Sequence, residues 1–146
     1  MKTLYSILAV ILLSVTAYAQ QDKKFDPNQF AKEQETYIIK EARLSAQEAK
    51  AFFPIYREMQ QKQRTIFMQM RNISKSMPQS DKEAEKLINK KNQLDIQFKK
   101  IQCTYHSKLC KSLPARKVWM CIKADEHFKH FIMERISHNR KDKFKK

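Results

Sequence analysis

Glycine is absent from this chain of 146 residues. Because glycine adopts positive φ angles without steric cost, β-hairpin turns, β-bulges and the loops that cradle nucleotide phosphates commonly contain it. Its absence argues against β-sheet proteins and excludes a glycine-rich phosphate loop. We therefore predict an all-α protein.

Acidic residues are also scarce, with 15 Asp and Glu against 30 Lys and Arg. The carboxylates are scattered among lysines, as on a solvated helix face, and the serines lie at predicted helix caps. No nucleophile beside a base and no pair of catalytic carboxylates stands out. We therefore expect no enzymatic activity and no cofactor.

The first 19 residues have the pattern of a cleavable signal peptide. Lys2 supplies a positive charge, residues 4–15 form an apolar run, and residues 17–19 read Ala-Tyr-Ala, a small-x-small cleavage site. The run is short for a membrane span, and an N-terminal anchor helix is the alternative. We expect export to the periplasm. There the positive charge would meet anionic polypeptides, and at most peripherally lipids, rather than nucleic acid.

Hydrophobic periodicity predicts four helices. They cover residues 27–42, 45–74, 81–111 and 115–137. Long helices with thin apolar stripes favour an extended, open arrangement or a dimer over a compact bundle. We predict one helical domain over residues 20–137 and a disordered basic tail over residues 138–146.

The second predicted helix contains Pro54. Proline removes one backbone hydrogen bond and clashes with the carbonyl four residues earlier, so we predict a kink at this position. The alternative is that Pro54 ends a short helix and a new one begins at Ile55. Two helix starts carry capping boxes, Ser45 with Glu48 and Ser80 with Glu83.

Three cysteines make an odd number for an exported protein. Cys103 and Cys110 are about 10 Å apart along one helix, which is too far for a disulfide bond. If residues 112–114 join two helices as a hairpin, Cys103 lies nearly opposite Cys121. We predict a Cys103–Cys121 disulfide with Cys110 free. The alternative is three reduced thiols that pack as small apolar residues.

His127 and His130 are three residues apart and share a helix face, where they could ligate a metal ion. No HExxH or Cys-x-x-Cys pattern accompanies them. Phe128, Phe131 and Ile132 form the predicted buried side, which places the histidines on a solvated flank. We expect no metal site and keep this pair as the alternative.

Cations alternate with methionine and aromatic residues over residues 64–75. The candidate binding residues are Arg64, Phe67, Met68, Met70, Arg71 and Lys75, with Lys99 and Lys100 on the next helix. Methionine is flexible and polarisable, which suits surfaces that bind many partners. A basic surface of this kind attracts unfolded chains at long range and then holds them loosely. The alternative is that the apolar residues form a broad buried face.

Residues 44–48, Leu-Ser-Ala-Gln-Glu, resemble the repeated Leu-Thr-x-x-Gln motif of the Spy/CpxP family of periplasmic proteins. Leu44, Ser45, Gln47 and Glu48 occupy the motif positions, with Ser for Thr and Glu for the final Gln. Both changes keep the chemistry of the capping box. Leu113 begins a degenerate second copy, Leu-Pro-Ala-Arg-Lys, in which the cap is lost.

The resemblance implies an elongated, four-helix, hairpin-like subunit that pairs antiparallel into a thin, curved, cradle-shaped homodimer. Members of the family include ATP-independent chaperones, inhibitors of envelope-stress sensor kinases and metal-sensing periplasmic proteins. The leading hypothesis is a periplasmic chaperone that binds unfolded envelope proteins. The alternative is a stress regulator that binds a metal or a sensor protein, and a third reading is a lipid-surface binder that uses the basic tail.

Overall fold

The computed structural model of the protein describes residues 26–143. The predicted signal peptide, residues 1–19, lies outside the described residues. Residues 26–30 belong to a different unit from Ala31–Lys146, and every contact between helices given below lies within the second unit. No strand occurs among the described residues, and the prediction of an all-α protein is confirmed.

Four helices make up the described chain. They are α1 (Pro27–Glu41), α2 (Ala46–Ile73), α3 (Asp81–Ser112) and α4 (Ala115–Lys143). The predicted bounds are confirmed to within one residue for the first three. The fourth continues past Ser137 through six residues that the sequence assigned to a disordered tail. The difference has a physical reason, because neither proline nor glycine occurs after Pro114 to stop the helix.

Helix α2 runs without interruption through Pro54. The alternative in which Pro54 ends one helix was therefore wrong, whereas the kink stays a prediction. Pro54 lies on the exposed side of α2. Water can therefore reach the carbonyl of Lys50, which loses its helical partner because proline has no N–H.

The turn from α1 to α2 is a Schellman motif formed without glycine. The N–H of Leu44 donates to the carbonyl of Ile39 at 3.0 Å, and that of Arg43 donates to Lys40 at 3.2 Å. This geometry places Arg43 at φ 50°, in the left-handed region that glycine usually occupies. Leu44 is buried in the core directly after this turn. The strained conformation of Arg43 therefore orients the start of α2.

The predicted capping box at the start of α2 is confirmed in both directions. The Ser45 oxygen accepts from the N–H of Glu48 at 3.2 Å, and the Glu48 carboxylate accepts from the N–H of Ser45 at 2.8 Å. At the start of α3 only half of the prediction holds. Ser80 accepts from the N–H of Glu83, but the Glu83 carboxylate accepts from Gln79 and not from Ser80.

The core lies where the end of α1, the first half of α2, the end of α3 and the first half of α4 meet. Its members are Ile38, Ala42, Leu44, Phe52, Phe53, Tyr56, Met59, Tyr105, Leu109, Leu113, Val118, Cys121 and Ala124. Beyond Met59, α2 contains no buried residue, and α3 contributes only Leu94 before Tyr105. The remaining lengths of α2 and α3 thus form an arm, residues 60–104, with mostly exposed side chains.

Replacing Arg43 with glycine should raise the free energy of unfolding by roughly 1 kcal/mol, because glycine removes the steric cost of the left-handed conformation. The urea midpoint, followed by circular dichroism, measures this change. The matched control is Lys86→Gly at an exposed position inside α3, which should lower stability by about 1 kcal/mol. A lower stability for Arg43→Gly would contradict the role assigned to this turn.

Candidate functional site

The predicted binding residues of α2 lie on the arm and are mainly exposed. Phe67 has 56% of its surface exposed and Met68 has 46%. Arg64, Arg71 and Lys75 are exposed beside them, and Met70 is half-buried. We call these six residues the arm surface. For Phe67 and Met68 the alternative of a broad buried face was wrong.

Further apolar side chains on the arm are exposed, and the sequence analysis did not select them. Met77 lies in the turn between α2 and α3, and Ile88 and Ile96 lie on α3. Ile88 follows Leu87 directly and Ile96 lies between Leu94 and Phe98, so each stands beside the apolar stripe of α3 rather than on it. Lys99 and Lys100 are exposed on α3 as predicted. The whole arm therefore presents apolar groups among cations.

The cations of the arm surface are available to a partner. Within residues 26–143 no carboxylate forms an ion pair with Arg64, Arg71 or Lys75. Two other lysines of the arm form ion pairs on their own helices, Lys62 with Glu58 at 3.5 Å and Lys91 with Asp95 at 2.8 Å. Unpaired exposed cations attract anionic chains at long range, and salt screens that attraction.

The two motif copies meet in the structure. Lys117, at the last position of the second copy, lies 3.4 Å from the Glu48 carboxylate of the first. Its ammonium group also donates to the carbonyl oxygens of Ala42 at 3.3 Å and Arg43 at 2.7 Å. The backbone N–H of Ser45, and then the charge of Lys117, hold the pKa of Glu48 below its ordinary value.

The motif residues thus hold the start of α4 against the turn from α1 to α2. Leu44 and Leu113 are both buried in the core, while Gln47 is exposed. The second copy lacks a capping side chain at the start of its helix. Its last residue, Lys117, instead forms an ion pair with Glu48 of the first copy. Both copies thus contribute contacts that join the start of α4 to the turn between α1 and α2.

A polar network that the sequence analysis missed lies beside the core. One carboxylate oxygen of Asp125 accepts from Gln34 Nε2 at 2.6 Å and from the Tyr56 hydroxyl at 2.7 Å. The other accepts from the Lys129 ammonium at 2.6 Å. Gln60 Nε2 closes the network by donating to Gln34 and to the Tyr56 oxygen. Asp125 therefore links α1, α2 and α4.

Burial, and then the negative charge of Asp125, raise the pKa of Tyr56 well above its ordinary value, so that the hydroxyl remains a donor. A pocket of about 70 Å³ next to the network is lined by side chains that include His106 and Cys121. Burial lowers the pKa of His106 and raises that of the Cys121 thiol to about 11. A thiol with this pKa is mainly protonated at neutral pH and is a poor nucleophile.

The cysteines do not form the predicted bridge. All three are free thiols; Cys103 and Cys110 are exposed, and Cys121 is buried. The prediction compared only how far each cysteine lies from the turn between α3 and α4. Cys103 is about 200° around α3 from the buried Tyr105, because each residue turns the helix by about 100°. It therefore points away from the core.

His127 and His130 are exposed on α4. His130 Nδ1 lies 3.5 Å from a carboxylate oxygen of Glu134. Among the described residues no group of three His, Cys, Asp or Glu is placed to hold a metal ion. Trp119 and Met133 are exposed on the same helix, and the Lys123 ammonium lies 5.9 Å from the centre of the Trp119 ring.

Over residues 26–143 no helix has the length and apolar character needed to cross a membrane. No protein-family model, curated protein or solved structure matches the chain. The resemblance to the Spy/CpxP family therefore stays a prediction.

Replacing Asp125 with alanine should lower the free energy of unfolding by roughly 2–4 kcal/mol, because Gln34 and Tyr56 lose the acceptor they share in a partly buried site. The control is Lys129→Ala. It removes a partner whose side chain is 54% exposed and should cost less than about 1 kcal/mol. Urea unfolding of both variants measures the difference. Equal losses would show that the network does not depend on the carboxylate.

Thiol labelling distinguishes the cysteine environments. In reduced native protein at neutral pH, Cys103 and Cys110 should react rapidly with a thiol reagent, whereas Cys121 should react only after a denaturant is added. Peptide mapping of the labelled sites at increasing times is the measurement. If Cys103 reacted as slowly as Cys121, its exposed position would be wrong.

Proposed function

We propose that this protein is a periplasmic ATP-independent chaperone that binds unfolded segments of envelope proteins on the arm surface. The observation that supports the proposal is the exposure of Phe67 and Met68 among unpaired cations. The proposal includes export by the predicted signal peptide and a homodimeric assembly, both of which follow from the sequence and the family resemblance.

The first step of binding is electrostatic. The chain carries a formal net charge of +15, and Arg64, Arg71 and Lys75 have no ion-pair partner in residues 26–143. Acidic segments of an unfolded protein are therefore drawn to the arm from about a Debye length, which is about 8 Å at physiological salt. This step raises the rate of encounter but contributes little affinity.

The second step is apolar contact. Burying a side chain such as Phe or Met contributes about 1.5–3 kcal/mol, so Phe67 and Met68 together supply only a few kcal/mol before the cost of association. Affinity of this size is weak for one segment. A client is therefore held at several places and released spontaneously, which is what a chaperone without an energy source requires.

Methionine and phenylalanine also suit a partner without fixed sequence. The Met side chain has three rotatable bonds and a polarisable sulfur, so it adapts to differently shaped groups. Such a surface discriminates little between apolar segments. No residue of α2 beyond Met59 is buried. The methionine and phenylalanine side chains of the arm surface can therefore move without disturbing the core.

The test is the aggregation of a chemically denatured client in the absence of ATP. The protein should slow aggregation at equimolar concentration, and the double variant Phe67→Ser/Met68→Ser should need at least a several-fold higher concentration. The matched control is Met133→Ser, which removes a side chain that is 67% exposed on α4 and should behave like the parent protein.

Ionic strength provides a second readout. Raising salt should reduce the rate at which the protein captures the client, because exposed charges are screened. Unchanged aggregation at a several-fold excess of the protein would contradict the proposed function. An equal loss in the Met133→Ser control would show that the arm surface is not the site.

A further inference from the structure

His106 places a half-buried imidazole between the helices. The ring lines the pocket of about 70 Å³, whose walls also include side chains of α2 and α4. Within residues 26–143 it forms no hydrogen bond and no ion pair. This is unusual, because polar groups that are removed from water are mostly hydrogen-bonded. The charge state of the ring therefore depends on its surroundings rather than on a fixed partner.

Charged side chains of α3 and α4 surround this ring. Asp125, Glu126 and Lys129 line the pocket from α4. Lys99 of α3 donates to the Gln102 side chain, which lines the same pocket, at 3.1 Å. The ring therefore meets two carboxylates and two ammonium groups.

The other titratable groups that line the pocket are Tyr56 of α2 and Cys121 of α4. Burial raises the pKa of the Cys121 thiol to about 11 and that of the Tyr56 hydroxyl well above its ordinary value. Both groups are therefore uncharged near neutral pH. On α3 itself, Cys103 and Cys110 lie about one turn to either side of the ring and are exposed.

Both carboxylates of the pocket already have a cationic partner. Asp125 accepts from the Lys129 ammonium at 2.6 Å, and Glu126 accepts from the Lys123 ammonium at 2.9 Å. The second oxygen of Asp125 accepts from two further side chains, as described above. No lining residue therefore offers an unpaired carboxylate to a protonated imidazole.

A proton on His106 would place an uncompensated cation in the pocket. The ammonium groups of Lys99 and Lys129 repel such a cation, and the half-buried ring has lost part of its hydration. Burial, as the main cause, and the charge of Lys99 hold the pKa of His106 below its ordinary value despite the attraction of Asp125 and Glu126. The folded protein therefore favours the neutral ring.

We propose that His106 is an acid-sensitive contact, and that protonation of its imidazole loosens α3 from α2 and α4 at this pocket. Phe52, Met59 and Leu109 also line the pocket and are buried. Loosening the helices there exposes apolar surface of the core to water. The inference concerns the isolated protein and does not rest on client binding.

The effect has a defined pH window. In the unfolded chain a histidine has an ordinary pKa of about 6.5. As the pH falls through this value, the unfolded state takes up a proton before the folded state does, so the free energy of unfolding decreases. The contribution of neutral His106 is fully present above about pH 6.5 and is lost as the pH falls through the folded pKa. Carboxylates with a lowered pKa, such as those of Glu58 and Glu126, respond only in more acidic solution.

The first test is the urea midpoint of the full-length protein at about pH 7.5 and about pH 5.5. The midpoint of the parent protein should decrease at the lower pH. His106→Gln should show at most about half of that decrease, because glutamine takes up no proton. The matched control is His127→Gln, at an exposed position of α4, which should behave like the parent protein.

NMR titration of the imidazole protons measures the pKa of His106 directly and needs no variant. The pKa should lie below about 6.5 in the parent protein. In Lys129→Ala it should rise, because a repelling charge is lost and an oxygen of Asp125 is freed. The matched control is Lys91→Ala, which removes an ion pair of the same i,i+4 spacing on the arm and should leave the pKa unchanged.

Hydrogen exchange shows where the loosening occurs. At about pH 5.5, amides of α3 beside the pocket should exchange faster in the parent protein than in His106→Gln. Both proteins are compared at one pH, so the effect of pH on the chemical exchange rate cancels.

Three results would overturn the inference. The first is a pKa of His106 at or above about 6.5 in the folded parent protein. The second is an equal decrease of the urea midpoint in the parent protein and in His106→Gln. The third is an unchanged pKa of His106 in Lys129→Ala, because the paired carboxylate would then have no influence on the ring. None of these results bears on the aggregation assay.

Discussion

The partly buried carboxylate of Asp125 is the interaction on which the arrangement of the helices depends. It accepts hydrogen bonds from Gln34 of α1 and Tyr56 of α2, while its own helix supplies Lys129. Removing a charge from water is costly unless its oxygens are bonded, and here both oxygens are. The described residues contain no buried side-chain polar atom without a partner. A shift of α1 or α2 along α4 would break these bonds, so they help to set the register of the helices.

The core is confined to one part of the helices, and this separates folding from the proposed binding. Phe52, Tyr56 and Met59 are buried, whereas no later residue of α2 is. Substitutions on the arm surface should therefore leave the core packing intact, whatever their effect on the proposed binding. Packing on the arm depends on one buried residue, Leu94, and on half-buried residues of α2 and α3. Exposed apolar residues are therefore tolerated on the arm.

Local chemistry made the helices predictable. Ser45 with Glu48 marks the start of α2, and the breaks at Pro78 and Pro114 separate the remaining helices. Asp125 and Lys117 could not be assigned in this way, because their partners are 91 and 75 residues away in the chain. A carboxylate within a helix looks like a solvated residue until the opposing helices are placed.

The arm surface and the cysteines show how far periodicity extends. Hydrophobic periodicity predicted a helix over residues 45–74, and the helix is present, but no side chain of α2 beyond Met59 is fully buried. A periodic pattern identifies the face of a helix that should point inward. It does not show whether other parts of the chain are present to cover that face. For Cys103 the predicted direction of the side chain around the helix was wrong. The position of a residue along a helical hairpin does not determine the direction in which its side chain points.

The position of Trp119 determines how this protein can be observed by fluorescence. It is the single tryptophan of the chain, 60% of its surface is exposed, and the Lys123 ammonium lies 5.9 Å from its ring. Its indole is already in contact with water in the folded state, so its emission changes little when the chain unfolds. Tryptophan fluorescence therefore reports events at the surface of α4, and Tyr56 and Tyr105 are the natural probes of the core.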